Sequence, residues 1–137
     1  MSYTLEKQIG HLLRRANQRH TAIFQDMIGT AQLTPRQFAV LAKLDEVKES
    51  SQNELGRLTS MDPATTQGVI KRLLERGMVS RYAMETDLRR KLLCISPYGK
   101  KVLKKTYARA HLITQKTLEP LTEKEQESLL LLLQKIT

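Results

Sequence analysis

Residues 62–77, Asp-Pro-Ala-Thr-Thr-Gln-Gly-Val-Ile-Lys-Arg-Leu-Leu-Glu-Arg-Gly, strongly favour one local structure and constrain everything around it. An acid able to cap a helix stands directly before a proline, whose fixed φ suits the first helical position. The stretch closes on Gly77, the residue type that most easily takes the left-handed turn past a helix end. Val69, Ile70, Leu73 and Leu74 fall at helical spacing and make one apolar stripe. On the other face, the start of the helix presents Thr65, Thr66 and Gln67, with Lys71 one turn later. Short hydrogen-bonding side chains with little competing negative charge suit the base edges of a DNA major groove. An ordinary amphipathic surface helix would share these features, so the neighbouring segments must decide between the two readings.

The chain has 137 residues, enough for one compact core with helical extensions. Its 23 Lys and Arg outnumber 14 Asp and Glu, for a formal net charge of +9. That excess favours a phosphate-bearing partner, either nucleic acid or an anionic membrane surface. Aromatic residues make up 4% and Trp is absent, which argues against base-stacking platforms for single strands. The longest unbroken aliphatic run, 129–133, is too short to span a bilayer, and the N-terminus lacks the blocks of a signal peptide. The lone Cys94 excludes an internal disulfide, fits a reducing compartment and reads as a small buried hydrophobe. His11, His20 and His111 are too dispersed for a metal motif, and no nucleophile–base pairing or Gly-rich phosphate loop is present. The expectation is a cytoplasmic protein, not an enzyme, that needs neither metal nor cofactor.

From 5 to 28, Leu5, Ile9, Leu12, Leu13, Ala16, Ile23, Phe24 and Met27 trace a long amphipathic helix, broken by Gly29. It is longer than a small domain buries on itself, so part of the stripe is expected to face another subunit. Thr34-Pro35-Arg36-Gln37 is a capping box, and Phe38, Val40, Leu41 and Leu44 supply the buried face of the helix it opens. Ser51-Gln52-Asn53-Glu54 is another capping box, opening a short helix that buries Leu55 and Leu58, and Thr59-Ser60-Met61 links it to the helix at 62–77. Helix, short turn, then a second helix polar at its front is the helix-turn-helix arrangement. Two short apolar runs, 78–83 and 92–95, flank a charged segment and read as a β-hairpin whose tip carries Arg89, Arg90 and Lys91. Ser96-Pro97 starts a helix reaching about Leu118, and Thr122-Glu123-Lys124-Glu125 opens a last one rich in leucine.

This order of elements resembles the MarR family of bacterial winged-helix transcriptional regulators. The likeness is carried by Leu33-Thr34-Pro35-Arg36-Gln37-Phe38, Asn53-Glu54-Leu55-Gly56, the run from Gly68 to Gly77, Asp87-Leu88-Arg89-Arg90-Lys91 and Ile95-Ser96-Pro97-Tyr98-Gly99. The segment Leu88-Arg89-Arg90-Lys91 departs from the pattern in lacking a second acid common at the wing tip. The resemblance implies a mainly α fold with a small β-wing. A winged helix-turn-helix DNA-binding lobe would occupy 31–96 of a single domain, with N- and C-terminal dimerisation helices in 1–30 and 97–137. It also implies a homodimeric repressor that binds double-stranded DNA at a pseudo-palindromic operator and is released by a small ligand. Such a dimer sets two recognition helices roughly 34–36 Å apart, one turn of DNA.

On this reading Thr65, Thr66, Gln67 and Lys71 contact base edges, Gln suiting adenine and Lys guanine. Pro63 and Ala64 lie close to the duplex, within reach of a thymine methyl. Arg89 resembles the family's wing arginine, which enters the minor groove, with Asp87 holding its guanidinium. Arg90, Lys91, Ser51 and Asn53 are candidates for phosphate contacts. Lys100, Lys101, Lys104, Lys105 and Arg109 make a second basic surface, read as a solvated face. For the effector, Arg19, His20, Phe24 and Phe38 combine cation, imidazole and aromatic rings, which suits a flat organic anion. The stretch from Arg14 to His20 resembles relatives that control aromatic-acid catabolism, so an aromatic acid or its coenzyme A thioester is the implied effector. The competing reading is a non-specific architectural DNA-binding protein, also small, basic and dimeric.

Overall fold

The computed structural model describes the whole chain, Met1–Thr137. Six helices, α1 (Ile9–Met27), α2 (Pro35–Val47), α3 (Gln52–Leu58), α4 (Pro63–Glu75), α5 (Pro97–Leu118) and α6 (Glu123–Lys135), accompany three strands, β1 (Glu49–Ser50), β2 (Val79–Ala83) and β3 (Lys91–Ile95). They form two compact units, one of Thr30–Ala108 and one of Met1–Gly29 with Arg109–Thr137. The division expected at residue 97 therefore falls inside α5, whose first half belongs with the lobe. No helix is long and apolar enough to cross a membrane.

In the unit of Thr30–Ala108, both bonds of the Thr34 capping box are made: the Gln37 N–H donates to Thr34 Oγ1 and the Thr34 N–H to Gln37 Oε1, each at 3.1 Å. α2 then contributes Val40, Leu41 and Leu44, all fully buried. Ser51 caps α3 through the Glu54 N–H at 3.2 Å, but the reciprocal bond is missing because the Glu54 carboxylate pairs with Arg57 instead. Leu55 is buried, whereas Leu58, the last residue of α3, stays 40% exposed. In α4 the apolar stripe divides: Ile70 and Leu73 are buried in the core, while Val69 and Leu74 lie half-buried at its margins. Arg76, at the end of α4, donates to the Ala31 and Gln32 carbonyls at 2.8 and 3.0 Å and to Gln37 Oε1 at 3.3 Å, fastening that end to the start of α2.

The sheet has the order β1-β3-β2, antiparallel throughout, with Val79 opposite Ile95 and Ala83 opposite Lys91. β1 has no counterpart among the sequence expectations, since two residues carry no period. Cys94 is half-buried rather than buried, lying in register between Glu49 and Ser80.

The link from β3 into α5 explains the Ser-Pro-x-Gly pattern. Ser96 donates its N–H to the Met78 carbonyl at 2.9 Å and its Oγ–H to the Gly77 carbonyl at 2.6 Å, while Oγ accepts from the Gly99 N–H at 2.9 Å. Serine thus caps α5 and ties it to the end of α4 in one step. Gly99 sits so close to the chain at Met78 that a Cβ there would lie 2.0 Å from the Met78 carbonyl oxygen. Further along α5, Tyr107 donates to Asp45 Oδ2 at 3.0 Å and packs edge-on against Phe38, with ring centroids 6.1 Å apart. Burial, then the Asp45 hydrogen bond, push its phenol up to about 12.

In the other unit the helix expected over 5–28 is divided. Leu5–Lys7 forms a single 3-10 turn, Gln8 is extended, and α1 starts at Ile9. Gln8 spends its carboxamide on the Thr4 carbonyl at 3.1 Å, bracing the turn instead of continuing the helix. Gly29, at φ +77°, ends the segment as its residue type allows. α6 opens on a complete Thr122 capping box, and Gln126 donates to the carbonyls of Leu118 and Leu121 at 3.0 and 3.1 Å, closing the α5–α6 turn.

Candidate nucleic-acid interface

The front of α4 is set by its cap. Asp62 accepts the Thr65 N–H on Oδ1 and the Thr65 hydroxyl on Oδ2, both at 2.8 Å, and these bonds hold its carboxyl below the usual carboxylate range. A lowered carboxyl favours the folded state while ionised. The contribution is complete above the ordinary value of 3.8 and fades as pH falls through the lowered one. Asp62→Ala should accordingly lower the melting temperature by a few degrees at pH 7, and the gap to the parent should narrow as pH falls below 3.8. A gap unchanged by that fall in melts at stepped pH would count against the cap.

Beyond the cap, Pro63, Ala64, Gln67 and Lys71 are exposed, and Thr65 is half-exposed with its hydroxyl donated to Asp62. Thr66 corrects the sequence expectation of base contact: it is 1% exposed and donates its hydroxyl to the Asp62 carbonyl one turn back at 2.8 Å. It packs on α3 at Gly56, where a Cβ would lie 2.7 Å from Thr66 Oγ1. A side chain in that seam holds the two helices together and cannot meet a base edge. Gly68 instead joins the exposed front, with nothing within 4 Å of where its Cβ would stand. Nothing in the lobe's packing requires glycine there, though mid-helix glycine costs about 0.5–1 kcal/mol relative to alanine.

Two concavities surround this front. One, of about 290 Å³, is lined by residues of α3 and α4 that include Asn53, Arg57 and Pro63. The other, of about 540 Å³, lies between α4 and the hairpin and gathers Gln67, Lys71, Arg81 and Lys91 with Gln52. Three cations from separate elements thus converge beside the polar face of α4, the arrangement expected where a phosphate backbone passes. Arg81 and Gln52 were absent from the sequence-derived set. The guanidinium donates to Gln52 Oε1 at 3.2 Å, and the two come near α4 because β2 and α3 each pack against it. Ser51 keeps its place at the start of α3, engaged as its cap.

At the hairpin tip Arg89 and Arg90 are exposed, and neither is held in an ion pair. Asp87 does not hold the Arg89 guanidinium. Its Oδ1 accepts the Arg89 backbone N–H at 3.0 Å, and its carbonyl accepts the Arg90 N–H at 3.0 Å. A carboxylate two residues upstream reaches its neighbour's amide more easily than a long side chain pointing away, so Asp87 shapes the turn and leaves the arginine head in solvent. At the base of the hairpin, the Tyr82 hydroxyl donates to Glu49 across the sheet, and that bond, with burial behind it, raises the phenol to about 12.

The effector candidates separate. Arg19 uses its guanidinium on the α5 carbonyls of Thr117 and Lys116, two acceptors left over at the end of that helix. His20 is half-buried, with Nδ1 on Thr117 Oγ1 at 2.9 Å and its ring 6.3 Å from that of the buried Phe24. Phe38 belongs to the other unit, against Tyr107.

The MarR family model matches residues 33–91. The HTH-type transcriptional repressor NicR of Pseudomonas putida is 37% identical over 134 residues, covering 98% of this chain and 85% of NicR. The chain belongs to the MarR family. Among solved structures, a probable transcriptional regulator from Pseudomonas aeruginosa matches this MarR-family chain with a TM-score of 0.93 at 46% identity, covering 98% of it and 100% of the neighbour. BpsR of Bordetella bronchiseptica, whose DNA binding is regulated by 6-hydroxynicotinic acid, matches with a TM-score of 0.92 at 37% identity, covering 99% of this chain and 97% of its own. As a MarR-family member the protein is a DNA-binding transcriptional regulator and not an enzyme. Its fold, mainly helical with a small three-stranded sheet, is the winged helix the sequence pointed to.

Proposed function

We propose that two copies of this chain act as a repressor on a pseudo-palindromic operator, released by an aromatic carboxylate. The observation that carries this reading is the exposed front of α4, where Gln67 and Lys71 share one concavity with Arg81 and Lys91. In this reading Gln67 and Lys71 read base edges, and Pro63, Ala64 and Thr65 approach the duplex. Arg81, Arg90, Lys91, Ser51 and Asn53 fix register on phosphates, and Arg89 enters the minor groove on the turn that Asp87 shapes. Dimerisation uses the unit containing α1 and α6, where Ile9, Leu12, Leu13 and the leucines of 129–132 lie open to solvent in the single chain. An apolar surface of that extent marks a protein contact.

For the effector, similarity to BpsR favours a pyridine or benzene carboxylic acid of the 6-hydroxynicotinic kind over a coenzyme A thioester. His20, with its second ring nitrogen available and Phe24 beside it, is the group assigned to the anion. Arg19 contributes by holding α1 to the end of α5.

The test is a gel-shift titration on the fragment upstream of the protein's own coding region, with random duplex as competitor. Specific binding at least ~10³-fold above random supports an operator, and a ratio near one establishes the architectural reading instead. Adding 6-hydroxynicotinic acid, benzoic acids and their thioesters should release the operator for one class only. His20→Ala should raise the concentration needed by about tenfold or more, the loss of one charge-assisted hydrogen bond, with operator affinity unchanged. An unchanged release curve removes His20 from the effector site.

A further inference from the structure

The first half of α5 carries charge with no compensation inside the molecule. From Pro97 to Leu118 the helix contains no acid, and Lys100, Lys101, Lys104 and Lys105 are all exposed. The four ion pairs elsewhere, Lys43–Glu46, Arg57–Glu54, Arg72–Glu75 and Lys116–Glu119, each join residues three apart on one helix. None includes these lysines. Lys100 with Lys104, and Lys101 with Lys105, are like-charge neighbours one turn apart, which opposes helix formation. Lys100 and Lys101 also stand close to the first turn, at the positive end of the helix dipole, where cations are disfavoured. The solvent face that the four lysines occupy carries besides them Pro97 and Ala108, with Tyr98, Tyr107 and Arg109 at its edges.

We infer that this face is a second duplex-binding surface that holds DNA flanking the operator. It rests on the DNA-binding reading above and extends it to a surface that reading leaves unused. A protein partner would need buried apolar or aromatic anchors at the centre of its contact, and a membrane would need an apolar face to insert; the lysine face offers neither. A polyphosphate needs only accessible cations, because counterion release drives its binding. The surface is separate from the reading surface. Ser96 and Gly99 fasten the start of α5 to Gly77 and Met78, at the opposite end of α4 from the Asp62 cap. The last turns of α4 therefore intervene, about 9 Å from Lys71 and about 20 Å from the Asp62 cap. On the hairpin side β3 intervenes, about 16 Å. A straight operator fragment cannot reach the lysines, and a longer duplex reaches them by curving back along the lobe.

The test compares the parent with Lys100→Gln/Lys101→Gln/Lys104→Gln/Lys105→Gln, a change that keeps good helix formers. Each is titrated against a duplex of about 24 base pairs and one of about 70 with the same operator at its centre, over a range of KCl. The parent should bind the long duplex roughly tenfold tighter, with a log–log salt slope steeper by about 7, as expected when the four lysines of each of the two copies neutralise about eight phosphates. The variant should keep the parent's short-duplex affinity and lose both differences. Equal affinities of parent and variant for the long duplex overturn the proposal. So does an equal loss on both duplexes, which would put the lysines at the operator core, or in the fold if the variant's melting temperature falls as well. Failure of the parent to distinguish the short operator from random sequence would be a failure of the operator reading, and is seen separately.

Discussion

Gly99→Ala is expected to lower the melting temperature by about 10 °C or more, the largest stability effect of any single methyl group in this protein. The added Cβ would fall 2.0 Å from the Met78 carbonyl oxygen, 2.8 Å from its carbon and 3.0 Å from its Cα. Those atoms are backbone and cannot rotate aside. The same carbonyl accepts the Ser96 N–H at 2.9 Å, and the Met78 N–H is bound to the Leu73 carbonyl at 3.0 Å, so retreat breaks the links of α4 and α5 together. Overpacking that side chains absorb costs about 1–3 kcal/mol, and a backbone clash belongs at or above the top of that range. Gly77→Ala is the comparison. That site has open space but a φ of +70°, so only the left-handed penalty of about 1–2 kcal/mol applies. Circular-dichroism melts of the two variants decide the matter, and a Gly99→Ala loss no larger than that of Gly77→Ala would refute the close-approach account.

Leu131→Glu/Leu132→Glu is expected to give a folded monomer whose operator affinity is lower by about 10²–10⁴-fold, the factor gained when two half-sites are engaged by one linked pair of lobes. These side chains are 62% and 58% exposed in the single chain, so carboxylates there meet solvent and leave the internal packing intact. Between two copies they would sit in an apolar contact and bring uncompensated charge into it. Sedimentation velocity reports the assembly state and a gel shift the affinity. A variant that remains dimeric with parental affinity removes α6 from the proposed dimer contact.

Much of the fold was legible because its strongest signals are local. The Thr34, Asp62 and Thr122 caps act over three residues, and each opens a helix at the expected place. Pro35, Pro63 and Pro97 stand at first helical positions, where a missing N–H is harmless. Gly29 and Gly77 take the positive φ their residue type permits. The limits of local reading appear where a competing bond was available. Glu54 chose Arg57 over its capping partner, and Gln8 chose Thr4 over a continued α1.

For the candidate interface, helical spacing identified the surface of α4 but not the allegiance of each side chain on it. Thr66 and Gln67 are adjacent and chemically similar, yet one is locked against Gly56 and the other is open, because α3 covers only one of them. Arg81 joined the set because β2 packs back against α4, a contact no spacing along the chain announces.

Residue order by itself determined where the capped helices begin, that the chain is cationic, and that it belongs with winged-helix regulators, since caps, periodicity and charge are properties of neighbours along the chain. Tertiary structure alone decided that Thr66 is a seam rather than a reader, that Arg19 closes a helix end, and that Gly99 must lack a side chain. Each of these depends on which atom wins a hydrogen bond or a volume that more than one group could take, and that contest is settled only once the packing brings the competitors together.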